Sequence, residues 1–323
     1  MNGGQTLALR VTQRRDKGGV LLLELQAAEG GLLPPFTAGA HITLQLGNGL
    51  ARQYSLYNSS AEQHRYCIAV LVTRHSRGGG SWLKEHALPG IVLWASPPLN
   101  NFPQGKGDDP LSRATTGPLP FEENGITPRL LLAGGIGITP LLAMAEVCSR
   151  QFAFHYVGRS DTLSAFGSME HFGLQAHSAI DESLFTGLTA KTEVYLCGNG
   201  AFMQAAREAL AARGVGDERI FAESFSLALQ EDEQGFWLEI AGEDRRIWVN
   251  GQQTMAEALI EAGYEVAISC GIGQCGSCAL DIVEGEADHR DAFLTNEQKT
   301  AQRRVMPCCS RSLSPVLVID APE

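Results

Sequence analysis

The chain has no apolar run long enough to cross a bilayer as a helix. Its longest uncharged stretch, Leu130 to Ala145, is broken by three glycines and a proline. It also falls short of the ~20 residues that a span requires. The N-terminus, MNGGQTLALRVTQRRDKGG, holds no continuous apolar segment ahead of a small-residue cleavage site. No signal peptide is therefore expected, and the expected location is the cytoplasm. Positive charge is scarce as well: 25 Lys and Arg stand against 36 Asp and Glu, a net of −11. Phosphate binding needs basic patches, so this balance argues against nucleic acid as the partner. It also disfavours an anionic membrane. Solubility is the plain reading of the charge, and a basic patch on a partner protein is the other.

Hydrophobic residues make up 44% and charged residues 19%, an ordinary globular composition. At ~100–150 residues per domain, a chain of this length holds two or three. The first hundred residues read as all-β. Leu7–Val11, Val20–Gln26, His41–Leu46, Ala51–Leu56, Tyr66–Val72 and Ile91–Ala95 are short strand candidates separated by Gly, Pro and Asn turns. The expectation is an antiparallel β-barrel over 1–104. Gln104–Pro128 holds four prolines and four glycines with little apolar content. Residues 105–128 are read as an exposed inserted loop.

From Arg129 strands alternate with helices. Leu130–Ala133 is a fully apolar strand, and Phe152–Val157 and Glu193–Cys197 are further strands; Leu141–Arg150 and Ala201–Arg213 are helical. Such alternation predicts an α/β domain with a parallel sheet over 129–229. The polar stretch 230–235 reads as a linker. Over 236–323, Phe236–Ala241 and Arg246–Val249 form a hairpin. Thr254-Met-Ala-Glu257 is a capping box that opens a helix ending at Gly263. Hairpin, helix and cysteine loop make an α+β pattern.

Of eight cysteines, Cys67, Cys148 and Cys197 are scattered in apolar surroundings and read as buried thiols. Cys270, Cys275 and Cys278 form C-x4-C-x2-C, and Cys308 follows after 29 intervening residues, with Cys309 beside it. This is the plant-type [2Fe–2S] spacing. Two irons bridged by two sulfides need four converging thiolates. Three come from one loop, whose Gly271, Gly273 and Gly276 let the backbone bend around the cluster. Zinc sites use paired short spacings instead. Only one of Cys308 and Cys309 can face the iron, and spacing does not choose between them.

Arg52-Gln-Tyr54-Ser55-Leu56 sits at a strand end. Arg52 can neutralise a phosphate, Tyr54 can contact a flavin ring, and Ser55 can hydrogen-bond near its N5. Arg77-Gly78-Gly79-Gly80-Ser81 can add backbone and hydroxyl donors to the phosphate. Gly134-Gly135-Ile136-Gly137-Ile138-Thr139-Pro140 follows a buried strand and opens a helix, whose N-terminus can hold a pyrophosphate. It is not the G-x-G-x-x-G fingerprint. After the next strand stand Arg159 and Ser160 rather than an acidic residue. Cys197-Gly198 ends a later strand.

Together these motifs resemble the phthalate dioxygenase reductase family over nearly the whole chain. The resemblance includes His155-Tyr156, Glu223-Ser-Phe225, the stretch from Gly285 through His289 to Asp291, and Cys308-Cys309-Ser310-Arg311. It implies a flavin-binding barrel of the ferredoxin reductase type, an NAD-binding α/β domain and a β-grasp ferredoxin domain. It implies FMN, NADH and a [2Fe–2S] cluster as cofactors, with a Rieske-type oxygenase as electron acceptor. Cys308 rather than Cys309 would be the fourth ligand. Ser55 would act at N5, Cys197 and Gly198 would face the nicotinamide, and Phe225 would shield the flavin. Arg159 leaves NADPH open as a donor. Two rivals stand beside this reading: a stand-alone diaphorase or quinone reductase, and a non-catalytic iron–sulfur carrier or redox sensor.

Overall fold

The computed structural model describes residues 6–47, 50–72, 78–102, 129–148, 152–224, 234–251, 253–268, 273, 276–291 and 293–322. The inserted loop 105–128 and most of the linker lie outside them, as do Arg77, Phe225, Cys270 and Cys275. The chain divides into two compact units, Met1–Ser226 and Leu227–Glu323. Among the described residues no helix is long and apolar enough to cross a membrane.

The first unit opens with β1 (Leu7–Lys17), β2 (Val20–Ala27), β3 (His41–Gln45), β4 (Ala51–Ser55), β5 (Tyr66–Leu71), α1 (Gly79–His86) and β6 (Val92–Ala95). The strands pair in the order β4-β3-β6-β1-β2-β5, antiparallel throughout. A bridge between Leu56 and Ile68 joins the two outer strands and closes the barrel. Alternate residues point inward, so Leu9, Leu23, Ile42, Leu44 and Ile68 fill its core. β1 runs six residues past the expected end at Val11. The polar Gln13–Lys17 carries no hydrophobic alternation of its own. It becomes a strand by pairing with the apolar Val20–Glu24 of β2.

Next come β7 (Arg129–Gly134), α2 (Ile138–Val147), β8 (Phe152–Val157), α3 (Ser160–Ser164), β9 (Gln175–His177), β10 (Glu193–Gly198), α4 (Gly200–Ala211) and β11 (Ile220–Ser224). They form a parallel sheet in the order β11-β10-β7-β8-β9. Strand order reverses between β7 and β10, which places a crevice outside their carboxyl ends. α2 begins three residues before the expected Leu141. Pro140 fits its first turn, where backbone N–H groups have no helical partner.

The second unit contains β12 (Phe236–Ile240), β13 (Arg246–Val249), α5 (Met255–Glu261), β14 (Leu280–Glu284), β15 (Ala287–Asp288), α6 (Asn296–Thr300), β16 (Arg304–Val305), β17 (Arg311–Ser312) and β18 (Val316–Ile319). The main sheet runs β13-β12-β18-β14-β16, with β12 and β18 parallel. α5 buries Met255 and Leu259 against Leu238, Val249 and Leu317. Its capping box forms as expected: Glu257 N–H donates to Thr254 Oγ1 at 3.1 Å, and Thr254 N–H to Glu257 Oε2 at 3.0 Å.

Arg311 ties this unit together. It is buried and donates to the carbonyls of Gln253 (2.8 Å), Gln234 (3.1 Å) and Asn250 (3.2 Å), with its guanidinium over Phe236. Arg311→Met removes these donors and leaves buried acceptors unsatisfied. Each such acceptor costs ~1–3 kcal/mol, so the unit should lose at least ~3 kcal/mol of stability. Urea unfolding followed by the fluorescence of Trp237 and Trp248 reads this; an unchanged midpoint contradicts it.

Candidate functional site

In the barrel, Arg52 and Tyr54 project from β4 and Ser55 ends it, buried. α1 approaches them with its N-terminus. A Cβ on Gly79 would stand 2.9 Å from Arg52 Cγ and 3.4 Å from the Tyr54 hydroxyl, so only glycine allows this approach. Gly78 takes the left-handed turn before it, at φ 81°, and offers no capping side chain. The first N–H groups of α1 therefore converge near Arg52 uncapped, which suits an anion. Ser81 is exposed in this turn, and Gly80 is buried. Burial pushes the Tyr54 hydroxyl up to about 12, with Arg52 opposing, so it remains a neutral donor at physiological pH. The Leu56 side chain faces the barrel core, leaving only its backbone to contribute here.

At the switch between β7 and β10, three glycines are required by close approach. A Cβ on Gly137 would lie 2.3 Å from the Cys197 carbonyl oxygen. One on Gly134 or on Gly198 would lie 2.4 Å from the Phe202 ring. The turn after β7 thus rests directly on the end of β10, and their carboxyl ends open on a cleft of about 470 Å³. Gly134, Gly135, Tyr156, Arg159, Asn199 and Phe202 are among its walls. Thr139 donates its hydroxyl to the Ile136 carbonyl at 3.0 Å and stiffens the turn. Arg159 and Ser160 are exposed at the start of α3. The β1–β2 hairpin fixes that helix: a Cβ on Gly18 would fall 2.1 Å from the Asp161 carbonyl oxygen, and Lys17 Nζ donates to the Ser164 carbonyl at 2.9 Å.

Cys197 is fully buried. Burial and then the neighbouring Glu223 carboxylate push its thiol pKa well up, so the thiol stays neutral. Glu223 pairs in register with Cys197 across β10 and β11. The motif survey quoted Glu223 only within a stretch, and no local signal marks it as a neighbour of Cys197. Asn199 and Phe202 were also missed. Asn199 caps α4 by accepting the Phe202 N–H at 2.9 Å, a preference that strand-then-Asn-Gly could have signalled.

In the second unit, Cys278, Cys308 and Cys309 share one apolar cluster with Ala256, Leu294 and Met306. Gly273 and Gly276 both adopt positive φ, 77° and 74°. A Cβ on Gly273 would meet Cys309 Sγ at 2.4 Å and Asp291 Cα at 2.8 Å; one on Gly276 would meet the Phe293 ring at 2.4 Å. The loop is thus pressed onto its surroundings at two glycines. Cys309 Sγ donates to the Met306 carbonyl at 3.6 Å and lies 3.7 Å from Ser310 Oγ. The described thiols, gathered beside a glycine-bent loop, are of a kind that fits an iron–sulfur cluster.

The profile of the 2Fe-2S iron-sulfur cluster binding domain matches residues 238–313. The vanillate O-demethylase oxidoreductase of Acinetobacter baylyi is 38% identical over 92% of this chain and 93% of its own. The tetrachlorobenzoquinone reductase of Sphingobium chlorophenolicum is 33% identical over 99% of each chain. Among solved structures, phthalate dioxygenase reductase, described as a modular structure for electron transfer from pyridine nucleotides to [2Fe–2S], superposes with a TM-score of 0.73. It is 30% identical and covers 99% of this chain and 98% of its own.

Proposed function

Since the chain belongs to the phthalate dioxygenase reductase family, we propose that it is the reductase component of a Rieske-type aromatic oxygenase or O-demethylase system. It takes electrons from NADH through FMN and a [2Fe–2S] cluster and delivers them to the oxygenase. The observation that carries this reading is the order of sites along one chain: an anion-ready helix against Arg52 and Tyr54, a dinucleotide crevice at the β7–β10 switch, and a thiol cluster at the end. The corresponding domains are 1–104, 129–229 and 236–323.

Held in these sites, a flavin would supply two-electron chemistry matched to a hydride, and a [2Fe–2S] cluster would supply one-electron transfer. The protein positions and tunes. Arg52, Arg77 and the N–H groups of Gly79, Gly80 and Ser81 hold the flavin phosphate. Tyr54 lies along the ring, Leu56 offers backbone, and Ser55 donates near N5. Gly134, Gly135, Gly137, Thr139 and Pro140 seat the pyrophosphate at the start of α2, and Arg159 and Ser160 face the adenosine. Cys197, Gly198 and Phe225 border the nicotinamide; the neutral Cys197 thiol adds no charge beside the hydride. Cys270, Cys275, Cys278 and Cys308 hold the cluster, while Cys309 remains a hydrogen-bonded thiol.

The charge is divided unevenly. Residues 227–323 hold 7 Lys and Arg against 17 Asp and Glu, a net of −10 of the whole chain's −11. That concentration supports docking through the second unit onto a basic partner surface, where it would speed encounter.

Anaerobic addition of NADH should bleach the flavin and raise the EPR signal of a reduced [2Fe–2S] cluster. A cluster that stays oxidised overturns the reading. Arg52→Ala should lose FMN on gel filtration; full retention of flavin refutes the phosphate role. A second reading, direct reduction of a quinone, draws on the similarity to tetrachlorobenzoquinone reductase. It predicts that quinone turnover matches the rate of NADH oxidation with no oxygenase present.

A further inference from the structure

The segment from Ala287 to Asp291 alternates. Asp288 and Arg290 pair with each other on the outer face, with Arg290 Nε donating to Asp288 Oδ2 at 2.7 Å. Ala287 and Asp291 are buried, and the His289 side chain is only 6% exposed. This backbone runs beside the residues after Cys309: Asp288 is in register with Arg311, and Arg290 N–H donates to Ser310 Oγ at 3.2 Å. At its end Asp291 touches Gly273 of the cysteine loop. His289 therefore enters the interior between the cysteine loop's neighbour Asp291 and the turn that carries Cys308 and Cys309.

Among the described residues neither ring nitrogen of His289 has a hydrogen-bond partner, nor does Asp291 Oδ1. His289 Nδ1 lies 3.7 Å from Asp291 Oδ1. The other carboxylate oxygen is engaged: it accepts the Leu294 N–H at 2.7 Å and lies 4.0 Å from Lys299 Nζ. A buried orphan imidazole calls for a partner that the described residues do not supply. With a cluster held by this loop, its sulfurs would be acceptors close at hand.

We propose that His289 is a tuning residue for the cluster: a ring N–H of His289 donates to a sulfur of the cluster shell. This rests on the reading that the loop holds a [2Fe–2S] cluster. A hydrogen bond to sulfur favours the reduced, more negative state and raises the reduction potential.

His289 is the only histidine in residues 227–323. The full-length holoprotein labelled with ¹⁵N-histidine and reduced should therefore show a weak ¹⁵N coupling to the cluster by pulsed EPR. An intact cluster signal without that coupling overturns the proposal; no cluster signal at all overturns the underlying reading instead. In variants, His289→Met keeps bulk without a donor, and His289→Gln restores one. The Met variant should show a more negative cluster potential and shifted g-values, the Gln variant values near the parent, and both an unchanged flavin potential. Equal potentials in all three proteins, or equal shifts in both variants, reject a donor role. The labelling test needs no variant to fold.

Discussion

Cys308→Ser should abolish the native [2Fe–2S] EPR signal while NADH still bleaches the flavin. Cys309→Ser should keep the signal at parental intensity. The two cysteines are adjacent and both buried, so neither burial nor spacing separates them. Cys309 Sγ donates to the Met306 carbonyl at 3.6 Å, a bond that a protonated thiol makes and a thiolate ligand does not. That contact supports the assignment of Cys308 proposed from the family resemblance. Serine oxygen is a poor substitute at a soft site, so the loss should be near complete and electron delivery to any acceptor beyond the flavin should fall with it. If Cys308→Ser keeps the signal and Cys309→Ser loses it, the assignment reverses. Reduction of the flavin by NADH in both variants separates cluster loss from general misfolding.

The elements legible in the sequence were those whose own residues decide them. β2, β5 and β8 are mostly apolar, and the capping box at Thr254 is spelled out in four residues. The elements that were not legible depend on a partner. β9 has three residues, Gln175–His177, two of them exposed; it is a strand only because β8 pairs with it. β11 likewise follows from β10. β18 adds beside β12 in parallel, a pairing across some eighty residues of chain that periodicity cannot supply.

The candidate sites divide in the same way. Motif spacing located Arg52, Tyr54, the glycines after β7 and the cysteine loop. It did not disclose why particular glycines stand where they do. Gly79 is set by Arg52, Gly137 by Cys197, and Gly273 by Cys309 and Asp291, each a neighbour distant in sequence. Glu223 beside Cys197 is visible only once strand order and register are known.

Gly137→Ala offers a test in which two physical effects have opposite signs. The backbone at 137 is ordinary, with φ −62° and ψ −4°, and immediately precedes α2. At a compatible backbone, replacing glycine by alanine stabilises by ~0.4–1 kcal/mol by lowering the entropy of the unfolded chain, so that effect alone predicts a more stable protein. The close approach predicts the reverse. The new Cβ would stand 2.3 Å from the Cys197 carbonyl oxygen, 2.5 Å from its carbon and 2.7 Å from Gly198 N. These are backbone atoms of a central strand, in register with β7 on one side and β11 on the other. They cannot rotate away as a side chain would, so the turn itself must lift. Overpacking of this kind costs ~1–3 kcal/mol. The turn that lifts also forms the floor of the dinucleotide crevice. The expected result is a lower melting temperature and a KM for NADH raised at least tenfold, with dithionite still reducing flavin and cluster. A raised melting temperature with parental KM would mean that backbone entropy decides at 137, and that the turn does not rest on β10.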